Sequence, residues 1–526
     1  MKNPYLHAQG KTIVDKHGRE VLLRGVGLGG WLLPEGYMWK FPQAGDRPRK
    51  IERWFVNCIG EEDASRFWDA FYRHFITRAD IKAIAKLGFN SIRIPLHWRF
   101  LLDQENKIDE KHWSILDDVI AWCEKEKVYV ILDLHGAPGG QTGANIDDSE
   151  HDFPELFTHP EHQELTIQLW ESLVRRYKDK EIIACYDLLN EPLPNPFSQY
   201  HDELVSLYKR LIQRIRALDP YHMISLEGSH WATDWAIFTQ KWDDNVLYHF
   251  HKYWNHPDQR SIQRFLDKRE IWNVPIFMGE GGENNKEWYI GTFGMLDDLK
   301  ISWNFWTYKK METTNSPYSI KMPKGWVDFA QEMEAGILTE KSKAMKILWE
   351  YLENVKIENC IPHPEVSDAL FRRPDILFPA VFYAHDEDAK INESNRKNIG
   401  FRIEDHREIG FVESDQDSPN FSHGQGQSWK KDEWLYVGVQ SGDSIRYHLN
   451  SPKRQSIWLG LDLTVEDTAI ITVKIGLQSI QTTLTTSSRS SHSLGKFLLI
   501  EGLNPIQLSV EQGKINLISL QAIRVE

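Results

Sequence analysis

Two glutamates, each directly after an apolar run, are the residues best suited to do chemistry in this sequence. The run Y-D-L-L at 186–189 is followed by Asn190 and Glu191, and the run P-I-F-M-G at 275–279 is followed by Glu280. The proline after Glu191 ends a strand, because it cannot donate to a ladder. Two carboxyl groups can divide the work of a general acid and a nucleophile. The competing interpretation of the first site is an ordinary Asn-Glu-Pro turn after a core strand.

Strand-like and helix-like segments alternate over the first part of the chain. Eight apolar runs start near residues 26, 90, 128, 182, 222, 245, 274 and 301, with amphipathic stretches between them. Such runs are typical of parallel strands that are buried on both faces. Eight strand–helix units in roughly 300 residues predict an α/β fold, the (β/α)8 or TIM barrel. A doubly wound open sheet is the alternative, but the glycine-rich stretch at 25–30 lacks the spacing of a phosphate-binding turn.

Local signals mark several ends of these elements. The helical pattern at 64–87 contains an N-cap candidate, Thr77, and is followed by Gly88, a residue that favours a helix C-terminus. Two apolar pieces at 11–25 flank the turn D-K-H-G and predict a β-hairpin, which we expect to plug one end of the barrel. The fourth barrel strand is predicted over 182–191, so that it ends at the Asn-Glu pair.

Beyond about residue 340–375 the sequence changes character. Long helical patterns stop, and short alternating strands are predicted at 443–449, 456–463, 469–475, 496–500, 505–510 and 515–523. Regular short strands with Asn, Gly and Ser turns predict an antiparallel β-sandwich. The serine-rich stretch at 485–493 is expected to be a hairpin loop within it. We therefore predict two domains, a catalytic barrel with its N-terminal hairpin at 1–360 and an all-β sandwich of the jelly-roll type at 361–526.

Polar residues at the carboxyl ends of the strands of a TIM barrel converge on one site. In chain order these residues are Glu35, Arg93, His135, Asn190, Glu191, Glu227, His249, His251, Tyr253, Glu280 and Trp306. Glu191 and Glu280 follow the fourth and seventh strands, so they face each other across the barrel mouth. Carboxyl groups about 5–5.5 Å apart predict a glycosidase that retains anomeric configuration, whereas about 6.5–9.5 Å predicts inversion. Glu227 is a poor nucleophile, because it lies only one strand after Glu191.

The two catalytic roles require different pKa values. Glu191 must hold a proton near neutral pH, which burial and a negative neighbour favour. Glu280 must stay ionised, which a nearby Arg93 favours. Asn190 suits a contact with the 2-hydroxyl of a sugar, and Tyr253 suits a hydrogen bond to the nucleophile.

His135 and His251 have the size and the hydrogen-bond donors to line the same site. A metal is the competing use of these histidines and carboxylates. His249 and His251, in the sequence H-F-H, come closest to a ligand pair, since alternate residues of a strand share a face. The sequence contains no H-E-x-x-H motif. We predict neither a metal nor another cofactor.

Composition narrows the classes of partner. The chain has 526 residues, a formal net charge of −14 and 21 tryptophans. The negative charge argues against nucleic acid as the main partner, while indole rings suit either a large aromatic core or the faces of sugars. The four cysteines form no C-x-x-C pair. No apolar run reaches ~18 residues and the N-terminus has no apolar signal core. We expect no membrane insertion and a cytoplasmic protein, or a secreted one if a leader was removed.

The residues above lie in the motifs of a known family. The stretches are L-R-G-V-G-L-G-G-W-L-L-P-E (23–35), G-F-N-S-I-R-I-P (88–95), L-D-L-H-G-A-P-G (132–139), L-N-E-P (189–192), H-K-Y (251–253), P-I-F-M-G-E (275–280) and W-N-F-W (303–306). In this order they resemble glycoside hydrolase family 5 of clan A, and within it the exo-β-1,3-glucanase-like branch. The resemblance implies a retaining β-glycoside hydrolase with Glu191 as acid/base and Glu280 as nucleophile. It also implies six residues around the sugar: Arg93, His135, Asn190, His251, Tyr253 and Trp306.

Part of the terminal-sugar site departs from that branch. Glu35 matches an acidic residue that binds hydroxyls of the terminal glucose in the exo-acting enzymes. The branch has an aspartate where Asn145 stands, among the residues that bind this sugar, and Asp147 or Asp148 is a candidate to replace it. A changed sugar preference is the alternative. The loop at 35–53, with the aromatic residues of W-K-F at 39–41, has no clear counterpart, which leaves linkage specificity open.

The C-terminal segment resembles jelly-roll carbohydrate-binding modules through G-D-S-I-R-Y (442–447) and E-G-L-N-P-I-Q-L (501–508). The resemblance implies either sugar binding or mere support of the barrel. For the whole chain we expect an exo-acting hydrolase of β-glucans or β-gluco-oligosaccharides. The alternatives are the same mechanism on a glucosylceramide-like substrate, a mannoside or a furanoside, and a non-catalytic carbohydrate-binding protein. The last would bind sugars without hydrolysing any aryl β-glycoside.

Overall fold

The computed structural model describes residues 5–385, 399–405, 407–485 and 487–525. The chain forms two compact units, and the second takes in two segments from the barrel half of the sequence. The first unit comprises Met1–Lys252, Phe265–Gly282 and Ile301–Pro362, and the second comprises Tyr253–Arg264, Glu283–Lys300 and His363–Glu526.

Eight parallel strands close into a barrel, as the sequence predicts. In chain order they are β1 (Arg24–Gly27), β2 (Ser91–His97), β3 (Tyr129–Gly136), β4 (Ile183–Asp187), β5 (Met223–Glu227), β6 (Val246–Tyr253), β7 (Ile276–Gly282) and β8 (Ser302–Trp306). Each strand pairs with the next along the chain, and β8 pairs with β1 to close the ring. Nearly every strand residue is buried, which explains why the sequence shows continuous apolar runs here.

Helices alternate with the strands and occur at Pro48–Ile59, Glu61–Phe75, Arg78–Leu87, Trp98–Leu101, Glu110–Glu126, Pro160–Tyr177, His201–Leu218, Ser229–Ala232, Gln263–Trp272, Lys286–Asp298, Trp326–Ala335, Lys341–Asn354 and Pro364–Leu370. The predicted cap at Thr77 is confirmed, because Thr77 and Asp80 form a reciprocal capping box. The helical pattern at 64–87 is divided at this cap, since Ile76 and Thr77 are extended and separate two helices. Among the described helices, none combines the length and the apolarity needed to cross a membrane.

The N-terminal hairpin closes one end of the barrel, but its strands lie earlier than predicted. His7–Gln9 pairs with Thr12–Val14, because Gly10 turns the chain at a φ of 57°. The predicted D-K-H-G turn follows the second strand, and the predicted pairing across it is present in part, as a bridge between Val14 and Glu20 with the Val21 N–H donating to the Ile13 carbonyl. The hairpin packs into the barrel core through Leu6 and Ile13, in a buried cluster with Leu23, Ile131, Ala184, Cys185, Met223, Leu247 and Phe277. The prediction of a plug is confirmed.

The second unit contains two antiparallel sheets, which confirms the predicted sandwich. One sheet is ordered Ile409–Phe411, Leu435–Gln440, Lys514–Arg524, Gln455–Val465, Ser487–Leu499, and Ile376–Pro379 also pairs with its strand Lys514–Arg524. The other is ordered Ser444–Ser451, Gly502–Gln512, Ala469–Ile475, Gln478–Leu484. Inward and outward residues alternate along most of these strands.

The expectation of a hairpin loop at 485–493 is wrong for most of that stretch. Residue 486 lies outside the described residues, and the chain from Ser487 onwards belongs to the strand Ser487–Leu499, paired with Gln455–Val465. The strand lies at the edge of its sheet. An edge strand with a solvated face tolerates serine and threonine, so apolar periodicity alone does not reveal it.

The ion pair of Lys309 and Asp80 gives a test of the packing between the segment after β8 and the helix Arg78–Leu87. Their side chains are completely buried, with Lys309 Nζ 2.8 Å from Asp80 Oδ1. We expect Lys309→Met to destabilise the barrel by about 3–5 kcal/mol, because it leaves a buried carboxylate without its cation. The measurement is the midpoint of the barrel's thermal transition. Lys107→Met is the control, since its exposed pair with Glu105 is worth about 0–1 kcal/mol; equal shifts for both variants would contradict the assignment.

Candidate active site

Arg93, in the middle of β2, is the centre of the buried charges at the barrel mouth. Its side chain is fully buried. The guanidinium lies 2.8–3.1 Å from five side chains, which are Glu280, Asp187, Asn190, Glu227 and Asp133. These partners come from β3, β4, β5 and β7 or from the residues just after β4. One cation therefore serves four carboxyl groups and one amide.

The surroundings of Glu280, the predicted nucleophile, shift its pKa. Burial raises the pKa of Glu280; the attraction of His251 and Arg93 opposes this shift, and repulsion from Glu191 adds to it. Arg93 Nη1 donates to Glu280 Oε2 at 2.8 Å, in line with the expectation from the sequence. The net direction of the pKa of Glu280 is nevertheless upward, because burial is the largest of these effects.

Glu191 enters the site on an unusual backbone. Strand β4 ends at Asp187, four residues earlier than predicted, because Leu188 and Asn190 turn their N–H groups to the carbonyls of Ser225 and Leu134. Glu191 has a φ of 46°, a conformation that costs about 1–3 kcal/mol in a residue other than glycine. Its N–H donates to Glu227 Oε2 at 2.7 Å. The buried Glu227 carboxylate, excluded above as nucleophile, thus holds the Glu191 backbone.

The two predicted catalytic carboxyl groups meet at His251. His251 Nδ1 lies 2.6 Å from Glu191 Oε1 and 3.8 Å from Glu280 Oε1. One oxygen of each carboxyl group and one nitrogen of His251 all lie within 4.8 Å of one another. This spacing matches the short separation of a retaining glycosidase rather than the wide one of an inverting enzyme, about 6.5–9.5 Å.

Trp306 and His135 form one wall of the mouth. Their rings are stacked, with centroids 5.5 Å apart and an angle of 4° between the planes. His135 Nδ1 lies 2.7 Å from Asp133 Oδ2, and burial lowers the pKa of His135 to about 4. The histidine is therefore neutral near pH 7. The Asn190 amide lies 3.3 Å from His135 Nε2, which joins this wall to the residues around Arg93.

The glycine-rich stretch at 25–30 provides the space for the Trp306 indole. A Cβ on Gly27 would lie 2.7 Å from the indole, and one on Gly29 would lie 2.5 Å from it. The indole N–H donates to Tyr37 Oη at 3.0 Å. Tyr37 is 40% exposed and was not identified from the sequence. The only signal for it is an aromatic residue two positions after Glu35, in a loop without periodicity.

Two loops on the rim, after β1 and β3, are tied together by Arg47. Arg47 Nη1 lies 2.7 Å from Asp152 Oδ1 and donates to the carbonyl of Ser149. Its Nε donates to Asp46 at 2.9 Å. The half-buried Asn145 lies at the same junction, where its amide donates to the carbonyl of Asp46 at 3.4 Å. Glu35, before the short turn Gly36–Trp39, is 4% exposed.

The structure gives Asp147 and Asp148 no access to a bound sugar. Asp147 is buried and accepts hydrogen bonds from the backbone N–H groups of Gln141, Thr142 and Ser149 at 2.6–3.0 Å. Asp148 has a completely buried side chain that pairs with Arg49 and Arg99. The expectation that one of them replaces the missing aspartate is wrong, because Asp147 is used within its own loop and Asp148 is used by two arginines on neighbouring helices.

The unusual aromatic residues of the loop at 35–53 belong to the core. Trp39 and Phe41 are 1% and 8% exposed. Their rings pack in a cluster with Phe55, Phe67, Trp68, Phe71, Trp326, Phe329 and Tyr351. They therefore anchor the loop rather than offer a sugar platform.

Nine of the ten residues predicted for the site lie in the first unit. They are Glu35, Arg93, His135, Asn145, Asn190, Glu191, His251, Glu280 and Trp306. Tyr253 ends β6 and is counted with the second unit, so its hydrogen bond to the nucleophile stays a prediction. The catalytic and binding roles of the other nine also stay predictions at this stage, although their side chains occupy one end of one barrel.

Two groups of side chains in the described part of the chain could hold a metal ion by their spacing. They are Glu227, His249 and His251, and Glu191, His251 and Glu280. The nitrogens of the two histidines lie 3.1 Å apart, and His251 Nδ1 lies 2.6 Å from Glu191, distances typical of hydrogen bonds between the side chains themselves. The absence of a metal in the working protein stays a prediction.

Three kinds of comparison give matches to this chain: a family model, named proteins and a solved structure. A family model described as cellulase (glycosyl hydrolase family 5) matches residues 56–312. A protein named beta-xylosidase from Phanerodontia chrysosporium is 31% identical over 344 residues, which cover 58% of this chain and 71% of that protein. A probable glucan 1,3-beta-glucosidase A from Emericella nidulans is 32% identical over 280 residues, which cover 49% of this chain and 66% of the relative. A crystal structure of an endogalactoceramidase covers 98% of this chain and 100% of its own, with 14% identity and a TM-score of 0.49.

The raised pKa of Glu280 predicts the acidic limit of activity. A carboxylate nucleophile must be ionised, so the kcat/KM for an aryl β-glycoside falls as pH drops through the pKa of Glu280 in the free enzyme. We expect this limb above pH 4.5, the ordinary value for glutamate. Arg93→Lys should move the limb to still higher pH, because a lysine cannot reproduce the forked contact with Glu280. A limb at or below pH 4.5, or one that Arg93→Lys leaves in place with the fold intact by circular dichroism, would contradict this.

Proposed function

Because the chain belongs to glycosyl hydrolase family 5 and is an O-glycosyl hydrolase, we propose that Glu280 is its nucleophile and Glu191 its acid/base. The reaction is hydrolysis of β-glycosidic bonds with retention of configuration, and the substrates are β-glucans or β-gluco-oligosaccharides attacked from the non-reducing end. The observation that carries the proposal is the short spacing of the two carboxyl groups, since one oxygen atom of Glu191 lies within 4.8 Å of one oxygen atom of Glu280.

The reaction proceeds in two displacements. In the first, Glu280 attacks the anomeric carbon, the bond to the leaving oxygen breaks, and Glu191 gives that oxygen its proton. In the second, Glu191 takes a proton from water, the water oxygen attacks the anomeric carbon, and the ester bond to Glu280 breaks. Both steps invert the carbon, so the product keeps the configuration of the substrate.

Arg93 adjusts the site between these steps. When Glu280 becomes an ester it loses its negative charge, and the guanidinium remains paired with Asp187 and Glu227. The charge near Glu191 then becomes less negative. That change suits the second step, in which Glu191 acts as a base instead of an acid.

The rim loops support attack at a chain end. The loops after β1 and β3 are joined by the ion pairs of Arg47 with Asp46 and Asp152. Such a wall on one side of the mouth favours a pocket that accepts the end of a sugar chain over a cleft open at both ends. Glu35, which follows β1 and precedes the rim loop in the chain, is the residue proposed to accept hydrogen bonds from hydroxyls of the terminal sugar.

β-Xylosides are the second candidate substrates. The relative named beta-xylosidase is matched over more of its length than the relative named glucan 1,3-beta-glucosidase. Asn145 also departs from the aspartate of the glucanase branch and lies at the junction of the rim loops. A carboxylate only accepts hydrogen bonds, whereas an amide both donates and accepts them. The replacement therefore changes which sugar hydroxyls the site can bind.

The catalytic roles are separable by leaving group. Glu191→Gln should lower kcat/KM for alkyl β-glycosides by about 10²–10⁴-fold, the usual contribution of a general acid. It should leave the first step fast on a dinitrophenyl glycoside, whose leaving group needs no proton, so that a burst of dinitrophenol precedes slow turnover. Glu280→Gln should abolish both reactions. If Glu191→Gln slows both substrates equally, or Glu280→Gln keeps near-normal turnover, the assignment of roles is wrong.

The direction of attack is measurable on β-1,3-linked gluco-tetrasaccharide labelled at its reducing end. Exo action should give labelled trisaccharide first, together with unlabelled monosaccharide, whereas endo action gives labelled disaccharide early. Arg47→Ala should raise the share of disaccharide, because it unties the two rim loops. Arg19→Ala is the control, since the Arg19 side chain is 74% exposed and pairs with Asp15 in its own turn. Parallel assays on nitrophenyl β-glucoside and β-xyloside decide between the two sugars.

A further inference from the structure

His249 is a buried titratable residue that the reaction described above does not use. It lies on β6 two positions before His251, so the two side chains share one face of the strand. Their Nε2 atoms are 3.1 Å apart. Two ring nitrogens at that distance share one hydrogen, so one of them must donate and the other must accept.

The surroundings of the other nitrogen decide which ring donates. Among the described residues, the polar partners of His249 Nδ1 are oxygen atoms, which are Asp187 Oδ2 at 3.2 Å and Oδ1 at 3.3 Å, Ser225 Oγ at 3.2 Å and Glu227 Oε1 at 3.4 Å. Three of these oxygens belong to carboxyl groups that Arg93 also contacts. Nδ1 of His249 therefore carries the hydrogen. A neutral His249 then presents the lone pair of Nε2 to His251.

This arrangement fixes the state of His251. Because His249 Nε2 accepts, His251 Nε2 must be an N–H group. The remaining nitrogen, Nδ1, lies 2.6 Å from Glu191 Oε1. A single proton can thus lie on this short contact, either on the carboxyl group of Glu191 or on the imidazole of His251.

We propose that His249, oriented by Asp187, is a positioning residue that fixes the tautomer of His251 and so keeps the catalytic proton between His251 Nδ1 and Glu191. The proposal rests on the proposed role of Glu191. In the first displacement the Glu191–His251 pair loses one proton to the leaving oxygen, and in the second it regains one from water. His249 and Asp187 exchange no proton with the substrate.

The neighbouring charges favour a proton on this pair. Burial lowers the pKa of His251, but Glu227, Glu280 and Glu191 outweigh it and raise the pKa well above the ordinary value. The charged and titratable groups that face the two histidines from the surrounding strands are Arg93, Asp133, His135, Asp187, Glu191, Glu227 and Glu280.

The space for His249 is provided by the residue before the nucleophile. A Cβ on Gly279 would lie 1.9 Å from His249 Nε2, so only glycine at this position of β7 leaves room for the ring. The sequence M-G-E therefore places the nucleophile and makes space for the histidine pair in adjacent positions.

The test compares His249→Phe with His249→Gln on two leaving groups. Phenylalanine fills the space but accepts no hydrogen bond, whereas glutamine can accept from His251 and donate to Asp187. We expect His249→Phe to lower kcat/KM for an alkyl β-glycoside by about 10–100-fold, less than loss of the whole general acid. The loss should be under about threefold on the dinitrophenyl glycoside, where no proton is needed. His249→Gln should recover most of the difference.

The pH profile provides the second readout. His249 accepts a hydrogen bond from protonated His251, which favours the protonated pair. His249→Phe should therefore move the basic limb of kcat/KM to lower pH, and His249→Gln should move it less. Equal losses on both leaving groups, a glutamine variant no better than phenylalanine, or an unmoved basic limb would overturn the proposal.

Asp187→Asn tests the same link where the phenylalanine variant does not fold. An amide in this place can donate to His249 Nδ1 and impose the opposite tautomer, as the corresponding change does in the serine-protease triad. It should lower activity on the alkyl glycoside more than on the dinitrophenyl glycoside, and the reverse order would count against the proposal. If Glu191→Gln itself shows no dependence on the leaving group, the proposed function fails, and that result is separate from any effect at His249.

Discussion

One buried guanidinium determines how the barrel mouth is built. An unpaired charge at the depth of Arg93 would cost several kcal/mol, so the fold must surround it with acceptors. The partners come from four other strands, and the two ends of the contact with Glu280 are 187 residues apart in the chain. Only a closed barrel brings such distant strand ends to one cation. The fold and the site therefore depend on each other. The barrel supplies the hydrogen-bond acceptors that Arg93 needs, and Arg93 holds the carboxyl groups that face it.

The pKa values of the four carboxyl groups around Arg93 shift in different directions. Burial acts on all four carboxyl groups, but Asp187 and Glu227, which contact His249 as well as Arg93, have lowered pKa values. Burial leaves Asp133 and Glu280 with raised pKa values. The two carboxyl groups with lowered pKa values are thus the ones that contact His249 Nδ1. They supply permanent negative charge around Arg93, whereas the proton that the proposed reaction moves belongs to Glu191.

The sequence predicted what periodicity and strand ends determine. The eight strands follow from continuous apolar runs, and Glu191 and Glu280 could be placed opposite each other because strand ends converge in this fold. Elements without such a pattern were not predictable. The strand Ser487–Leu499 opens with polar side chains, and Asp148 is a buried partner of Arg49 and Arg99, which lie on helices far from it in the sequence. Tyr37 contacts the Trp306 indole from a loop, and no local sequence pattern predicts this contact.

The glycines that make room in the site are easy to see in the sequence, but their role is hard to predict from it. Gly27 and Gly29 lie against the Trp306 indole, and Gly279 lies against His249. Gly279 directly precedes Glu280, whereas Gly27 and Gly29 lie on either side of Leu28. What each glycine contributes is the absence of a Cβ. A ring can stand at the centre of a narrow barrel only where a neighbouring strand carries no side chain. The positions of the indole and of the histidine pair, and with them the direction in which Glu191 is held, therefore depend on glycines as directly as on the charges around Arg93.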